Sequence, residues 1–146
     1  MGGDSVRMLL VEDNATDAEL AMRVLARNNL ATFVEVVTDG EAALQFLFAT
    51  GAYADRGAAR DPQVIVLDLK LPKVDGLEVL QRIKSDERMR RVPVVMLSSS
   101  REDRDVAECY RRGANSYVVK PIDPGEFEHA IAQVAYFWLK LNQPPV

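Results

Sequence analysis

The feature that most constrains the fold is the segment 64–67, four apolar residues of which three are β-branched, followed directly by Asp68. A run of this kind, without polar alternation, is typical of a central parallel strand that is covered on both faces. Residues 69–76 contain Pro72 and the pair Asp75-Gly76, which indicate a turn. Asp68 is therefore expected at the carboxyl end of a buried strand, where open α/β sheets bind their ligands.

Four further apolar runs alternate with stretches of helical periodicity along the chain. The runs predict strands at residues 6–11, 32–37, 94–97 and 117–119. Helices are predicted near residues 16–28, 41–50, 77–86, 102–112 and 124–141, and a capping box at Thr16–Glu19 is expected to open the first. Residues 52–62 predict a polar surface loop. This alternation predicts an α/β fold with a parallel sheet and right-handed crossovers.

Length and composition limit the classes of protein that fit this chain. With 146 residues and no repeat or linker, it is predicted to form one domain, with a core at residues 6–141 and no output domain. A formal net charge of -4 argues against a nucleic-acid surface, and no apolar run approaches membrane-spanning length. The single cysteine excludes an internal disulfide, and residues 1–5 are too short and polar for a signal peptide, so a cytoplasmic protein is predicted.

Polar residues follow the predicted strands at their carboxyl ends. Glu12 and Asp13 follow the first strand, Asp68 the third, Ser98 the fourth and Lys120 the fifth. Because the carboxyl ends of parallel strands share one sheet edge, we expect these side chains to converge. Crowded carboxylates need a cation, and Mg²⁺ binds carboxylates together with phosphate oxygens. The pattern therefore favours a site for Mg²⁺ and for a phosphoryl group on the Asp68 carboxylate.

Taken together, these motifs resemble the receiver domain of two-component response regulators. They are Glu12-Asp13, Asp68 within LDLKLPKVDG, Ser98 within PVVMLSS, and Lys120-Pro121 at the end of YVVKP. The resemblance implies a flavodoxin-like, doubly wound, five-stranded parallel sheet of order 2-1-3-4-5 with five helices. It also implies reversible phosphorylation of Asp68 by a sensor histidine kinase, and hence a phosphoacceptor switch rather than an enzyme.

The resemblance assigns roles in the metal site residue by residue. Asp13 and Asp68 are expected to ligate Mg²⁺ through their side chains, and Glu12 through a bound water molecule. The backbone carbonyl of Lys70 is expected as a further ligand. Glu12 stands where aspartate is commoner in the family, a variation that leaves phosphorylation in place.

The resemblance also identifies the residues that would respond to phosphorylation. Ser98 is similar to the switch hydroxyl that hydrogen-bonds the phosphoryl group, and Lys120 to the lysine that pairs with it. Tyr117 is similar to the switch aromatic that turns inward with that hydroxyl, and an ordinary half-buried tyrosine is the alternative. The bond between Lys120 and Pro121 is expected to be cis, which costs little before proline.

A narrower resemblance concerns the segments around these motifs. The loop 52–62, the run LDLKLPKVDGLEVL, the run SDERMRRVPVVMLSSS and the ending AYFWL are similar to the stand-alone regulators that pair with phytochrome photoreceptor kinases. The partners expected on this basis are a sensor histidine kinase of the phytochrome type and an unidentified downstream protein. No nucleic-acid or membrane partner is expected.

Two other functions on the same topology are less consistent with the residues. An aspartate-nucleophile phosphatase needs a second carboxylate two residues after the nucleophile as its acid/base, and Lys70 stands there. A flavin-binding module needs a hydroxyl- or glycine-rich phosphate loop after the first strand, where Glu12 and Asp13 would repel a phosphate. The phosphorylation switch is therefore the preferred interpretation.

The last predicted helix carries more apolar residues than one sheet face needs. A stripe at spacings of three and four is expected to cover the sheet and consists of Phe127, Ile131, Val134, Trp138 and Leu141. Tyr136, Phe137 and Leu139 are left over, and aromatic residues are enriched in interface cores. We therefore expect a homodimer through the fourth helix, fifth strand and last helix, with Tyr136, Phe137, Trp138 and Leu139 at the contact. Packing of Phe137 against the first helix is the alternative.

Overall fold

The computed structural model describes residues 6–56 and 61–145. Within them, the strands are β1 (Met8–Val11), β2 (Val34–Val37), β3 (Val64–Leu67), β4 (Val94–Ser98) and β5 (Ser116–Val119). The α-helices are α1 (Ala15–Arg27), α2 (Gly40–Phe48), α3 (Gly76–Ser85), α4 (Asp103–Arg111) and α5 (Pro124–Tyr136). The segment 1–5, predicted not to be a signal peptide, and residues 57–60 of the predicted surface loop lie outside the described residues.

The five strands form one parallel sheet in the order β2-β1-β3-β4-β5. The register places Leu10 of β1 beside Val36 of β2 on one side and Val66 of β3 on the other. In β4 and β5, Met96 lies beside Tyr117. This topology confirms the flavodoxin-like fold class and the strand order that the resemblance implied.

The sheet separates two apolar cores, one under each layer of helices. Leu9 and Ile65 pack in a core with buried side chains of α2, α3 and α4. Met8 and Val66, which point to the opposite face, pack in a core with buried side chains of α1 and α5. Strands β1 and β3 are thus buried on both faces, which is why their sequences show no polar alternation. Each buried aliphatic side chain contributes about 1.5–3 kcal/mol relative to an exposed one.

Helix α1 begins earlier than the predicted capping box. Asn14 is its N-cap, and the Asn14 side chain accepts a hydrogen bond of 2.9 Å from the backbone N–H of Asp17. The prediction that Thr16 caps this helix is therefore wrong. Asparagine is at least as good a cap as threonine, and here it precedes Thr16 by two residues.

The end of the last helix departs from the predicted stripe. After α5, residues Phe137–Leu141 form a π-helical turn, whose wider winding shifts the phase of the side chains. Leu139 is consequently buried at 5% exposure, whereas Leu141 is 61% exposed. The side chains that α5 and this turn bury against the sheet are Phe127, Ile131, Ala135 and Leu139.

These positions correct two predictions about the last helix. Leu141 does not cover the sheet, and Leu139 belongs to the core of the protomer rather than to a free dimer face. Tyr136 and Phe137 are exposed, as predicted, and the Phe137 ring contacts Trp138 edge-on with centroids 5.0 Å apart. Arg7 holds the turn in place, because its guanidinium donates a hydrogen bond of 3.1 Å to the backbone carbonyl of Leu139.

The peptide bond between Lys120 and Pro121 is trans, since the described part of the chain contains no cis peptide bond. The predicted cis bond is therefore wrong, and the observed isomer is the one that X-Pro bonds favour by about 0.5–1 kcal/mol. Across residues 6–56 and 61–145, none of the helices combines the length and the apolar composition that crossing a membrane requires.

Candidate phosphoacceptor and metal site

Four strands have their carboxyl ends on the same side of the sheet, here called the carboxyl edge, and each brings a polar side chain to it. Glu12 and Asp13 follow β1, Asp68 follows β3, Ser98 ends β4, and Lys120 follows β5. The backbone N–H of Glu12 donates to the carbonyl of β2 residue Val37 at 3.0 Å, and that of Lys120 donates to the carbonyl of Ser98 at 2.7 Å. The backbone hydrogen bonds of the parallel sheet therefore continue into the site and fix the backbone positions from which these side chains project.

Three carboxylates form the centre of this edge. Glu12, Asp13 and Asp68 each place an oxygen within 4.8 Å of the other two. Glu12 is 1% exposed and Asp68 9% exposed, whereas Asp13 is exposed. Burial raises the pKa of both Glu12 and Asp68, and the hydrogen bonds and charge of Lys120 oppose this increase. Three close oxygens of this kind are the ligands that hard divalent cations prefer.

Lys120 provides the compensating positive charge. Its ammonium donates to Glu12 Oε1 at 2.8 Å, to Asp17 Oδ2 at 3.0 Å and to Asp68 Oδ2 at 3.4 Å. Burial alone would lower the pKa of Lys120, but the hydrogen bonds to Glu12 and Asp17 outweigh it and raise that pKa above its ordinary value. Lys120 is therefore a permanent cation in this site.

Asp17 is a member of the site that the sequence reasoning missed. The sequence pattern places Asp17 only inside the predicted capping box, and its partner Lys120 lies 103 positions away in the chain. The available signal was its place in the first turn of a helix that starts at the carboxyl edge of the sheet. A carboxylate there faces the same edge as Glu12 and is favoured by the helix dipole.

Ser98 and Tyr117 meet at Ser100 rather than at each other. Ser98 is 3% exposed, and its hydroxyl oxygen accepts a hydrogen bond of 3.1 Å from the backbone N–H of Ser100. The Tyr117 hydroxyl donates to the carbonyl of Ser100 at 2.9 Å. The Ser100 hydroxyl in turn donates to Asp105 of α4 at 2.5 Å. One loop residue thus joins the expected switch hydroxyl, the expected switch aromatic and α4.

The loop after Asp68 depends on two glycines that pack against backbone. A Cβ on Gly76 would lie 2.2 Å from the carbonyl oxygen of Asp68, and one on Gly40 would lie 1.9 Å from that of Val74. Gly76 also donates its N–H to the carbonyl of Leu69 at 3.0 Å. These contacts hold the Asp68 loop against the starts of α2 and α3. Lys70 projects into solvent, and its backbone N–H approaches Asp68 Oδ1 at 3.4 Å.

The family model of the response regulator receiver domain matches residues 8–132. The chain belongs to the response regulator receiver family. Over 142 residues it is 39% identical to the probable methanogenesis regulatory protein FilR2 of Methanothrix harundinacea, which covers 97% of this chain and 89% of that protein. Receiver domains are signalling switches, so this membership favours the switch over the phosphatase and flavin-binding interpretations.

Solved structures of response regulators, one of them a phytochrome response regulator, are similar over almost the whole chain. The phosphorylated cyanobacterial regulator RcpA is 37% identical, with a TM-score of 0.88, and the match covers 97% of this chain and 99% of RcpA. The Mn²⁺-bound regulator Rcp1, known from Synechocystis, is 34% identical with a TM-score of 0.85 and the same coverage, 97% and 99%. The protein is thus a response regulator receiver closely related to phytochrome regulators, and a divalent metal site is indicated.

Proposed function

We propose that Asp68 accepts a phosphoryl group from a sensor histidine kinase and that the protein acts as a switch in a two-component relay. The observation that carries this proposal is the environment of the Asp68 carboxylate. It lies within 4.8 Å of two further carboxylates and 3.4 Å from a lysine ammonium, at the open edge of the sheet. Neither Glu12 nor Asp13 has the same combination, because Glu12 is fully buried and Asp13 is exposed.

We propose Mg²⁺ as the metal of this site. The donor set fits a hard divalent ion, with Asp13 and Asp68 as side-chain ligands, Glu12 acting through water and the Lys70 carbonyl as a further ligand. Bound there, Mg²⁺ would neutralise charge on the phosphoryl oxygens during transfer. The Mn²⁺ in the related Rcp1 structure supports a divalent ion of this class.

The proposed switch runs from Ser98 to Tyr117 through Ser100. A phosphoryl group on Asp68 offers acceptors to the O–H of Ser98, whose oxygen accepts a hydrogen bond of 3.1 Å from the backbone N–H of Ser100. We propose that the Ser98 hydroxyl turns towards the phosphoryl oxygens and that this movement breaks its bond with Ser100. Loss of that bond would disturb Ser100, which also holds Tyr117 and Asp105. We propose that α4, β5 and α5 form the face through which the protein then contacts a downstream partner.

The proposed phosphoryl donor is a phytochrome-type histidine kinase in the cytoplasm. The similarity to the cyanobacterial phytochrome response regulator RcpA supports this type of kinase. A rate comparison among candidate kinases, each autophosphorylated and mixed with equimolar protein, would test it. Transfer to Asp68 at least tenfold faster from phytochrome-type kinases than from others is the expected result.

We also propose a homodimer through the last helical segment, at the end of α5 that lies away from Asp68. Tyr136, Phe137 and Leu141 are 57%, 46% and 61% exposed, so three large apolar side chains lie on one short segment. Trp138 is half-buried beside Phe137 and would border the contact. Surfaces of this composition are typical of interface cores, and a twofold pair is the commonest arrangement for such a patch.

Mass spectrometry after incubation with acetyl phosphate and Mg²⁺ tests the phosphoacceptor directly. Wild type should gain one acid-labile phosphoryl group, and Asp68→Asn should gain none. Asp103→Asn, which removes an exposed carboxylate at the start of α4, is the matched control and should be labelled like wild type. Equal labelling of Asp68→Asn and wild type would contradict the assignment.

A further inference from the structure

The three hydrogen-bond donors of the Lys120 ammonium are all occupied in the resting site. The two short bonds go to Glu12 at 2.8 Å and Asp17 at 3.0 Å, and the longest, 3.4 Å, goes to Asp68. An ammonium has three N–H groups and no more. Any new acceptor on Asp68 therefore competes with a carboxylate that already holds Lys120.

Asp17 is fixed in position independently of Lys120. It occupies the third residue of α1, and its backbone N–H donates to the cap residue Asn14 at 2.9 Å. Its side chain is 24% exposed, against 2% for Glu12 and 12% for Asp68. Of the three partners of Lys120, Asp17 is thus the one that water can solvate most readily after the bond breaks.

We propose that Asp17 is a positioning residue that holds the Lys120 ammonium away from Asp68 and gives it up when a phosphoryl group arrives. The inference rests on the proposed phosphorylation of Asp68 and adds a regulatory contact to it. In the resting state, Asp17 keeps the Asp68 carboxylate open to the metal ion. In the phosphorylated state, the phosphoryl oxygens replace Asp17 as the third acceptor of Lys120.

This exchange follows from charge and access. Phosphorylation replaces the single negative charge of the Asp68 carboxylate with a phosphoryl charge of about -1.5 to -2, and it adds several strong acceptors beside the longest and weakest of the three Lys120 bonds. If Glu12 released Lys120, its buried carboxylate would keep the hydrogen bond of 3.0 Å from the backbone N–H of Asn14 but would lose the positive charge that compensates it, which is strongly unfavourable. Asp17 can release Lys120, because its carboxylate is partly hydrated and lies in the first turn of a helix, where negative charge is favoured.

The first test is the affinity for beryllofluoride, a phosphoryl analogue, at Mg²⁺ concentrations that saturate each variant. Asp17→Ala removes the competing acceptor and should bind beryllofluoride about fivefold more tightly than wild type. Glu19→Gln is the matched control. It removes one negative charge from the same helix, but the ion pair of Glu19 within residues 6–56 and 61–145 is with Arg23, at 3.8 Å on the surface. The control should match wild type, and equal gains in both variants would show a general charge effect and overturn the proposal.

The second test separates positioning from direct repulsion. In a Lys120→Ala background the fivefold gain from Asp17→Ala should disappear, because Asp17 then has no ammonium to hold. A gain that persists would mean that Asp17 repels the analogue directly, which contradicts the proposal. Thermal melts of each variant check that the fold is retained.

The third test uses Mn²⁺ alone and does not depend on phosphoryl chemistry. Without Asp17, Lys120 is free to approach Asp68, so calorimetry should show Mn²⁺ binding about threefold weaker in Asp17→Ala. Asp17→Glu, which restores the carboxylate, should return to within about twofold of wild type, and Glu19→Gln should be unchanged. Unchanged or tighter Mn²⁺ binding in Asp17→Ala would overturn the proposal.

The tests also distinguish failure of this inference from failure of the proposed function. If wild type binds Mn²⁺ but neither binds beryllofluoride nor becomes phosphorylated, the phosphoacceptor assignment fails, and the Mn²⁺ comparison still decides whether Asp17 positions Lys120. If wild type is phosphorylated and Asp17→Ala matches it in both affinities, only the role of Asp17 is refuted.

Discussion

Replacing Lys120 by methionine is the perturbation whose effect the structure defines best. The Lys120 side chain is 13% exposed, and it pairs with Glu12 at 2% and Asp68 at 12% side-chain exposure. Lys120→Met keeps the length and apolar stem of the side chain but removes the ammonium. Breaking a buried pair by removing one partner costs about 3–5 kcal/mol, because the other charge stays buried and uncompensated. The third partner of Lys120, Asp17, has a side chain that is 24% exposed, so water can replace part of the lost interaction and we expect the low end of that range.

The loss should depend on pH with a defined sign. Burial already raises the pKa values of Glu12 and Asp68 above their ordinary values of 4.5 and 3.8. Without Lys120 these pKa values rise further, so the folded variant binds protons that the unfolded chain has released. A carboxyl group whose pKa is higher in the folded than in the unfolded state stabilises the fold at pH values below its unfolded pKa. This stabilisation is lost as the pH rises through its folded pKa. The penalty of Lys120→Met relative to wild type should therefore be small near pH 4 and grow towards pH 8.

Urea unfolding in metal-free buffer at pH 5 and pH 8 measures this difference. We expect the free energy of unfolding at pH 8 to fall by about 3 kcal/mol, with a clearly smaller loss at pH 5. Lys73→Met is the matched control, because Lys73 also has two carboxylate partners, Asp39 at 3.7 Å and Glu41 at 3.6 Å, but is 62% exposed. It should cost less than about 1 kcal/mol at both pH values. A Lys120→Met loss that matches the control, or that does not change with pH, would refute the reasoning.

Three further predictions concern a glycine in the Asp68 loop, a buried thiol and the proposed dimer. Gly76→Ala should lower the free energy of unfolding by about 2 kcal/mol or more in urea, since its Cβ would lie 2.2 Å from a backbone oxygen; a neutral effect would contradict the packing. Cys109 is buried, and burial raises the pKa of its thiol to about 11, so iodoacetamide at pH 8 should label it only in denaturant. Wild type should sediment as a dimer at tens of micromolar and Tyr136→Glu/Phe137→Glu as a monomer; a monomeric wild type would exclude the dimer.

The sheet and most of the site were predictable because each depends on short-range signals. The segment 64–67 is apolar throughout because β3 is buried on both faces, and strand ends mark where polar side chains surface. That is enough to place Asp68 and Ser98 at one edge without knowing any contact. The strand order itself came from the family resemblance, since local periodicity does not determine which strands pair.

The errors arise where a local rule meets a competing residue or a distant partner. Thr16 fits a capping box, but Asn14 offers an equally good cap one half-turn earlier. The predicted stripe on the last helix depends on a constant α-helical spacing of its residues. The π-turn at Phe137–Leu141 changes that spacing, so Leu139 is buried in the core. Asp17 was not predicted as a site residue because its place there depends on a hydrogen bond to Lys120. A local sequence pattern does not indicate a contact between residues 103 positions apart.

The direction of α5 separates the proposed dimer contact from the phosphorylation site. The helix starts at Pro124, four residues after Lys120, and runs to Tyr136, a length of about 20 Å at 1.5 Å per residue. At its far end, the turn that follows is bonded through Leu139 to Arg7, which precedes β1 and so lies at the opposite edge of the sheet.

This geometry decides how far the switch should influence the dimer. The contacts that leave Ser98 lead through Ser100 to Tyr117 and Asp105, and these bonds end near the start of α4. Energetic coupling requires an element with two arrangements that both sites bias, and none of these bonds reaches Tyr136 or Phe137. We therefore expect the dimer constant from sedimentation equilibrium to change less than threefold on adding beryllofluoride and Mg²⁺. A tenfold change would require α4 or β5 to contribute directly to the contact, and would move the proposed interface towards the Asp68 end of the molecule.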